Sequence, residues 1–182
     1  MKAEMIAQTP RRQGYIQIYT GNGKGKTTAA LGLTLRAAGA GLSVFIGQFL
    51  KSGTYSEIKA LERLGRSVTL EQYGSTHFII DKPTEEDKQR ALHGLHRIEE
   101  EVFTAHYDVV ILEEIFPALG LHLIPREEVL LLLDKKPAHI ELVLTGRDAP
   151  PEFIEKADLV TEMREVKHYF SQGVKAREGI EK

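Results

Sequence analysis

The residues best suited to chemistry form one run, Thr20-Gly21-Asn22-Gly23-Lys24-Gly25-Lys26-Thr27-Thr28. Glycine admits positive φ and close backbone approach. Several N–H groups of such a run can therefore point into one concavity, at the positive end of a following helix. Lys26 adds a point charge for phosphate oxygens, and the Thr27 hydroxyl is a ligand suited to Mg²⁺. Lys24 is a further positive charge that either touches phosphate or stands solvated at the surface. The run departs from G-x-x-x-x-G-K-[ST] at its first position, where Thr20 stands and a glycine follows at 21. It is not the dinucleotide fingerprint, because the last glycine of G-x-G-x-x-G falls on Lys26. A Gly-rich turn without a ligand is the competing reading; Gly, Lys and Thr between a strand and a helix weigh against it.

A phosphate loop needs a carboxylate for its metal, usually at the end of a neighbouring apolar strand. Tyr107 to Leu112 (YDVVIL) reads as such a strand and delivers Glu113 and Glu114. Successive side chains on a strand point to opposite faces, so one of the two faces the metal. Solvated acids at a strand end are the alternative. Arg147 follows another apolar strand, 140–145, at the edge where ligands bind in open parallel sheets; it reaches a phosphate there or makes a surface salt bridge. Gln48 and Lys51 follow the second strand at the same edge and are weaker candidates for nucleotide or substrate contact. His93 and His96 share a helix face, but no third ligand accompanies them, so no zinc site is expected.

Positioning these groups requires alternating elements. Tyr15 to Thr20 reads as a strand, Thr27 to Gly39 as a helix closed by Gly39 and Gly41, and Leu42 to Gln48 as a buried strand. Thr54 to Gly65 reads as a helix and 68–70 as a short strand. Thr84, followed by Glu85, Glu86 and Asp87, caps a long helix bearing Ala91, Leu95, Ile98 and Val102 on one face. Short helices at 126–134 and after Pro150-Pro151, and strands at 107–112, 140–145 and 159–163, complete the pattern. Residues 164–182 read as a polar tail. Strand–helix alternation with near-continuous apolar strands predicts a parallel sheet buried on both faces. With the loop, the expected α/β architecture is P-loop NTPase-like (RecA-like), a three-layer sandwich around a mainly parallel sheet of about six strands. An N-terminal arm, 1–14, would precede a single nucleotide-binding domain, 15–182, that includes the tail.

Composition narrows the function. With 182 residues the chain fits one domain. The formal charge of −2 argues against a generic nucleic-acid footprint. Cys is absent, which removes disulfides, thiolate metal ligation and thiol nucleophiles. One-electron chemistry must then come from outside or from a bound cofactor. No apolar run approaches the roughly 20 residues of a membrane span, and the polar start does not resemble a signal peptide. A cytoplasmic protein with no membrane association is expected.

Several segments coincide in one order: TGNGKGKTTAALG, the stretch at 48–52, YDVVILEEI, ELVLTGRDAPPEFIEKADLVTEMREVKH and GVKAREGIEK. Together, over about residues 15–182, they resemble the P-loop class of ATP:corrinoid adenosyltransferases, also called cob(I)yrinic acid a,c-diamide adenosyltransferases. The resemblance implies transfer of the 5′-deoxyadenosyl group of ATP to a Co(I) corrinoid, with release of triphosphate and with cobalt as nucleophile. It implies Mg²⁺, an external Co(II) reductase such as a flavoprotein, and a homodimer. It assigns Gly21 to Thr28 to the nucleotide, with Lys26 and Glu114 as catalytic groups and Arg147 near the phosphate tail. Thr27 with Glu114 would hold the metal; Glu113, where the family commonly has Asp, is the second metal candidate. Arg36 would be a further nucleotide contact. The family's Phe-Thr-Trp run has no Trp here. His77 or Phe78 would take its apolar role against the corrinoid, core packing being the alternative for Phe78. A P-loop ATPase or nucleotide switch of another family, hydrolysing ATP to ADP, is the competing reading.

Overall fold

A computed structural model describes residues 12–53, 55–75, 79 and 82–181. Strands β1 (Ile16–Thr20), β2 (Val44–Gln48), β3 (Val68–Gln72), β4 (Val109–Glu113), β5 (Glu141–Thr145) and β6 (Leu159–Glu162) form one sheet in the order β3-β2-β4-β5-β1-β6. Every pairing is parallel. The sheet is thus wholly parallel where a mainly parallel one was expected.

Alternation along the strands explains the layering. Val44, Ile46, Val109, Ile111 and Val143 pack with Ala30 and Ala37 of α1 (Lys26–Gly39) and Leu61 of α2 (Ser56–Leu61). Their neighbours Phe45, Val110, Leu112, Leu142 and Leu144 join a second cluster with α3 (Glu85–Arg97), α4 (Ile115–Gly120), α5 (Arg126–Lys135) and α6 (Pro151–Lys156). Two helical layers therefore enclose the sheet. Central strands β2, β4 and β5 are buried at every position, which is why they read as continuous apolar runs.

Local chemistry sets most boundaries. Thr84 caps α3 in a reciprocal box. Its Oγ1 accepts from Asp87 N at 3.2 Å, and Asp87 Oδ2 accepts from Thr84 N at 2.8 Å. The helix expected over 54–65 is shorter. After α2 the chain tightens into a 3₁₀ segment, a common helix ending. That segment, Glu62–Ser67, is broken at Gly65 with φ 62°. The helix α4 has no sequence signal. It begins directly after β4, lacks a polar side-chain cap, and buries Ile115, Phe116, Ala118 and Leu119. Periodicity cannot reveal a six-residue helix that is apolar all round.

Because all strands run the same way, the segments after β1, β2, β4, β5 and β6 meet at one edge. The sequence-predicted loop, carboxylates and Arg147 all lie there.

Candidate nucleotide site

The loop leaves β1 and enters α1 through Gly25, whose φ is 124°; no side chain caps the helix. The first-turn N–H groups thus face the cleft beyond it. Lys26 is the first residue of α1 and only 8% exposed. Its Nζ donates to Gly21 O at 2.7 Å and Gly23 O at 2.8 Å, folded over the loop's own carbonyls. Burial, and then the neighbouring Arg147 guanidinium, hold its pKa below the usual lysine value.

The glycines have a second reason to be small. After β6 the chain crosses the loop: Gly23 N donates to Met163 O at 2.6 Å, and Asn22 Oδ1 accepts from Glu165 N at 3.0 Å. A Cβ at Gly21 or Gly23 would stand 2.5 or 2.7 Å from Met163 O, inside contact distance. Gly21 also needs its φ of 95°, which side-chain-bearing residues rarely adopt.

The two carboxylates part at the end of β4, Glu113 on the strand and Glu114 just beyond it. Glu113 is 2% exposed and accepts three hydrogen bonds. Thr27 Oγ1 donates to Oε1 at 2.6 Å, Lys51 Nζ to Oε1 at 3.0 Å and Gln48 Nε2 to Oε2 at 3.2 Å. Lys51 also lies 3.5 Å from Glu57 and 5.3 Å from the Tyr55 ring centroid. Burial pulls the Lys51 pKa down, but Glu113 and Glu57 more than offset this, and the net shift is upward. Glu114 turns into the cleft instead. Its backbone is left-handed, φ 61° and ψ 30°, and Glu114 N donates to Thr145 Oγ1 at 3.1 Å. Such a conformation in a residue other than Gly is sparsely populated and concentrates at functional sites. Burial, then the adjacent Glu113 charge, raise the Glu114 pKa.

A cleft of about 470 Å³ opens over these groups, within the range of small-ligand sites. Asn22 to Thr28, Glu114 and Arg147 line it, together with Lys51. Gly21 and Glu113 lie behind this lining. Arg36 is not at the site: it is exposed in the last turn of α1. Ten residues of helix beyond Lys26 carry it roughly 15 Å along the axis, away from the loop. His77 and Phe78 lie outside the described residues. Lys24 lines the cleft with its ammonium tied to the tail: its Nζ donates to Ile180 O at 2.9 Å, Glu181 Oε1 at 3.0 Å and Tyr169 Oη at 3.3 Å. His168 and Gly179 to Glu181 help complete the lining. Sequence reasoning missed these, since a polar tail carries no signal of where it docks.

Oxygen donors from Thr27, Glu113 and Glu114 suit a hard divalent cation such as Mg²⁺, which takes one or two carboxylates plus phosphates. Among the described residues no His-, Asp- or Glu-rich cage exists that would hold a metal alone.

Comparison with known proteins gives this geometry a family. Residues 12–181 match the family described as ATP:corrinoid adenosyltransferase BtuR/CobO/CobP. The chain is 36% identical over 180 residues to corrinoid adenosyltransferase CobA of Salmonella typhimurium, covering 97% of this chain and 89% of that one. It is 36% identical over 179 residues to the corrinoid adenosyltransferase of Escherichia coli K12, with the same coverage of 97% and 89%. Against the Pseudomonas aeruginosa corrinoid adenosyltransferase the identity is 33%, over 98% of this chain and 88% of the other. The loop, Glu113, Glu114 and Arg147 all lie within these matches, and the chain belongs to the ATP:corrinoid adenosyltransferase family.

Proposed function

We propose that the cleft holds ATP by its triphosphate and delivers the 5′-deoxyadenosyl group to the Co(I) centre of a reduced corrinoid. The cobalt electron pair forms the Co–C5′ bond as the C5′–O bond breaks, and triphosphate leaves with that bond's electrons. The substrate supplies the nucleophile, so the protein's work is orientation and stabilisation of leaving-group charge. The family match carries the adenosyl-transfer reading, and the convergence of Lys26, Thr27, Glu114 and Arg147 on one nucleotide-sized cleft supports its ATP half.

Each residue has a distinct task. Lys26 swings from the Gly21 and Gly23 carbonyls onto the triphosphate. Arg147, exposed at the cleft, meets the same oxygens. Thr27, Glu113 and Glu114 are the residues that would hold Mg²⁺, which neutralises phosphate charge when bound. Glu113 fixes the Thr27 hydroxyl, while Glu114 projects into the cleft. His77 and Phe78 are the proposed corrinoid-facing residues.

An external reductase, as the family resemblance implies, is the proposed source of Co(I); with no Cys the chain has no thiolate for an iron–sulfur cluster of its own. A homodimer is the proposed assembly. Strand β6 is at the sheet edge, and its Leu159 and Val160 are 43% and 38% exposed. A second copy would cover that surface, as exposed edge strands commonly require. No helix among the described residues is long and apolar enough to cross a membrane, and the proposed location is the cytoplasm, with adenosylcobalamin synthesis as the role.

Phosphorus NMR of the products tests the reaction. With ATP, Mg²⁺ and chemically reduced cobalamin, triphosphate is expected; ADP and phosphate, formed without corrinoid, would replace this reading with ATP hydrolysis.

A further inference from the structure

We infer that the C-terminal segment 168–181 is the wall of the cleft that receives the adenosine end of the nucleotide, with the Lys24–Glu181 pair as its clasp. The inference rests on the nucleotide reading above and adds a binding role for a segment outside the phosphate loop.

The lining holds two kinds of group. Lys26, Thr27, Glu114 and Arg147 form a charged end suited to phosphate and metal. Beside them, and beside the charged Lys24, Lys51, Glu57 and Glu181, the lining offers Leu31, Ser56, His168, Gly179 and Ile180, side chains and backbone that suit a heterocycle and a ribose. Ile180 lines the cleft yet remains 58% exposed. Its side chain is therefore open to contact from a ligand in the cleft.

The segment is built to stay there. Three acceptors converge on Lys24 Nζ: Ile180 O, Glu181 Oε1 and Tyr169 Oη. Glu181 is held in turn by the Tyr169 hydroxyl and by Arg177, whose N and Nη2 donate to its carboxylate at 2.8 and 3.0 Å. The Arg177 guanidinium stands 5.1 Å from the Tyr169 ring centroid, within cation–π reach. His168 Nδ1 accepts from Phe170 N at 3.0 Å and sets the start of the short helical turn Tyr169–Gln172. Several residues thus serve one carboxylate–ammonium contact on the loop. Lys24 is then a positioning residue for the wall, its ammonium engaged by the tail.

The test compares two ligands on two variants. Kd values for ATP and for inorganic tripolyphosphate, both with Mg²⁺, are measured by calorimetry on the full chain, on a chain ending at Gly173, and on Ile180→Ser. If the segment holds adenosine, truncation weakens ATP about tenfold or more and changes tripolyphosphate by less than about threefold. Ile180→Ser weakens ATP in the same selective way without removing the clasp. Equal losses for both ligands, no loss for either, or tighter tripolyphosphate binding on truncation would overturn the inference. Should the intact chain bind neither ligand, the nucleotide reading itself falls, a result distinct from the others.

Discussion

The Thr27 hydroxyl donates to Glu113 Oε1 at 2.6 Å, joining the start of α1 to the end of β4. The loop before α1 leaves β1, and β5 lies between β1 and β4 in the sheet. The bond therefore closes the phosphate loop onto a strand two places away, and Lys51 and Gln48 extend the same carboxylate to β2.

Removing the carboxylate should show this. Glu113→Ala leaves the Lys51 ammonium and the Thr27 hydroxyl without this acceptor. A loss of about 2–4 kcal/mol is expected, as when one partner of a largely buried pair is deleted. Urea denaturation measures it; a midpoint equal to wild type would show that the hub does not support the fold.

Lys26→Met separates binding from stability. Burial of the Lys26 ammonium, which holds its pKa down, offsets its two hydrogen bonds to carbonyls of its own loop, so little net folding energy depends on its charge. Tripolyphosphate affinity should fall about 100-fold or more with loss of a charge-assisted contact of about 3 kcal/mol, while the midpoint of thermal unfolding stays close to wild type. Arg36→Ala, at the far end of the same helix, should leave that affinity unchanged. An Arg36 variant as weak as the Lys26 variant would restore the arginine to the site.

The sequence showed the parallel sheet, the loop and the acidic strand end because each leaves a local mark. Apolar runs such as VVIL have only one comfortable place in an α/β fold, and Gly, Lys and Thr after a strand have few roles besides phosphate. What escaped was long-range. Which of Glu113 and Glu114 meets Thr27 depends on strand phase relative to α1. Arg36 lost its place because helix direction, not spacing, decides what it reaches. The helix α4 and the docking of Tyr169 and Glu181 on Lys24 rest on tertiary contacts with no periodicity to betray them.

One ion pair gives a signed pH dependence. Arg97 Nε and Nη2 donate to Glu71 Oε2 and Oε1 at 2.6 and 2.7 Å, joining α3 to β3. The Arg97 hydrogen bond, opposed by partial burial, holds the Glu71 carboxyl below the usual value. A depressed folded pKa contributes stability in full above the unfolded value of about 4.3 and loses it as pH falls through the lower folded value. Solvent screening keeps the size modest. Glu71→Gln should lower Tm by about 2–4 °C at neutral pH, with the gap closing only below about pH 4. A gap that persisted undiminished at about pH 2.5, well under the free carboxyl value, would exclude the ionised pair as its source.

Gly94 offers a packing test. It is buried in α3, and a Cβ there would stand 2.4 Å from the Tyr73 ring. Alanine is the better helix former by about 1 kcal/mol, yet Gly94→Ala should destabilise by about 1–3 kcal/mol through overpacking. Stabilisation in chemical denaturation would mean that Tyr73 yields freely and its packing against α3 is loose.

The proposed reaction turns on one bond, between cobalt and the 5′ carbon of ATP. The direct measurement is the visible absorption spectrum of chemically reduced cobalamin mixed with ATP, Mg²⁺ and the protein in the absence of oxygen and light. Conversion to the light-sensitive spectrum of a cobalt–carbon bond, at a rate proportional to protein and abolished by Lys26→Met, is predicted. A spectrum that stays that of Co(I) while ATP is consumed would contradict the account.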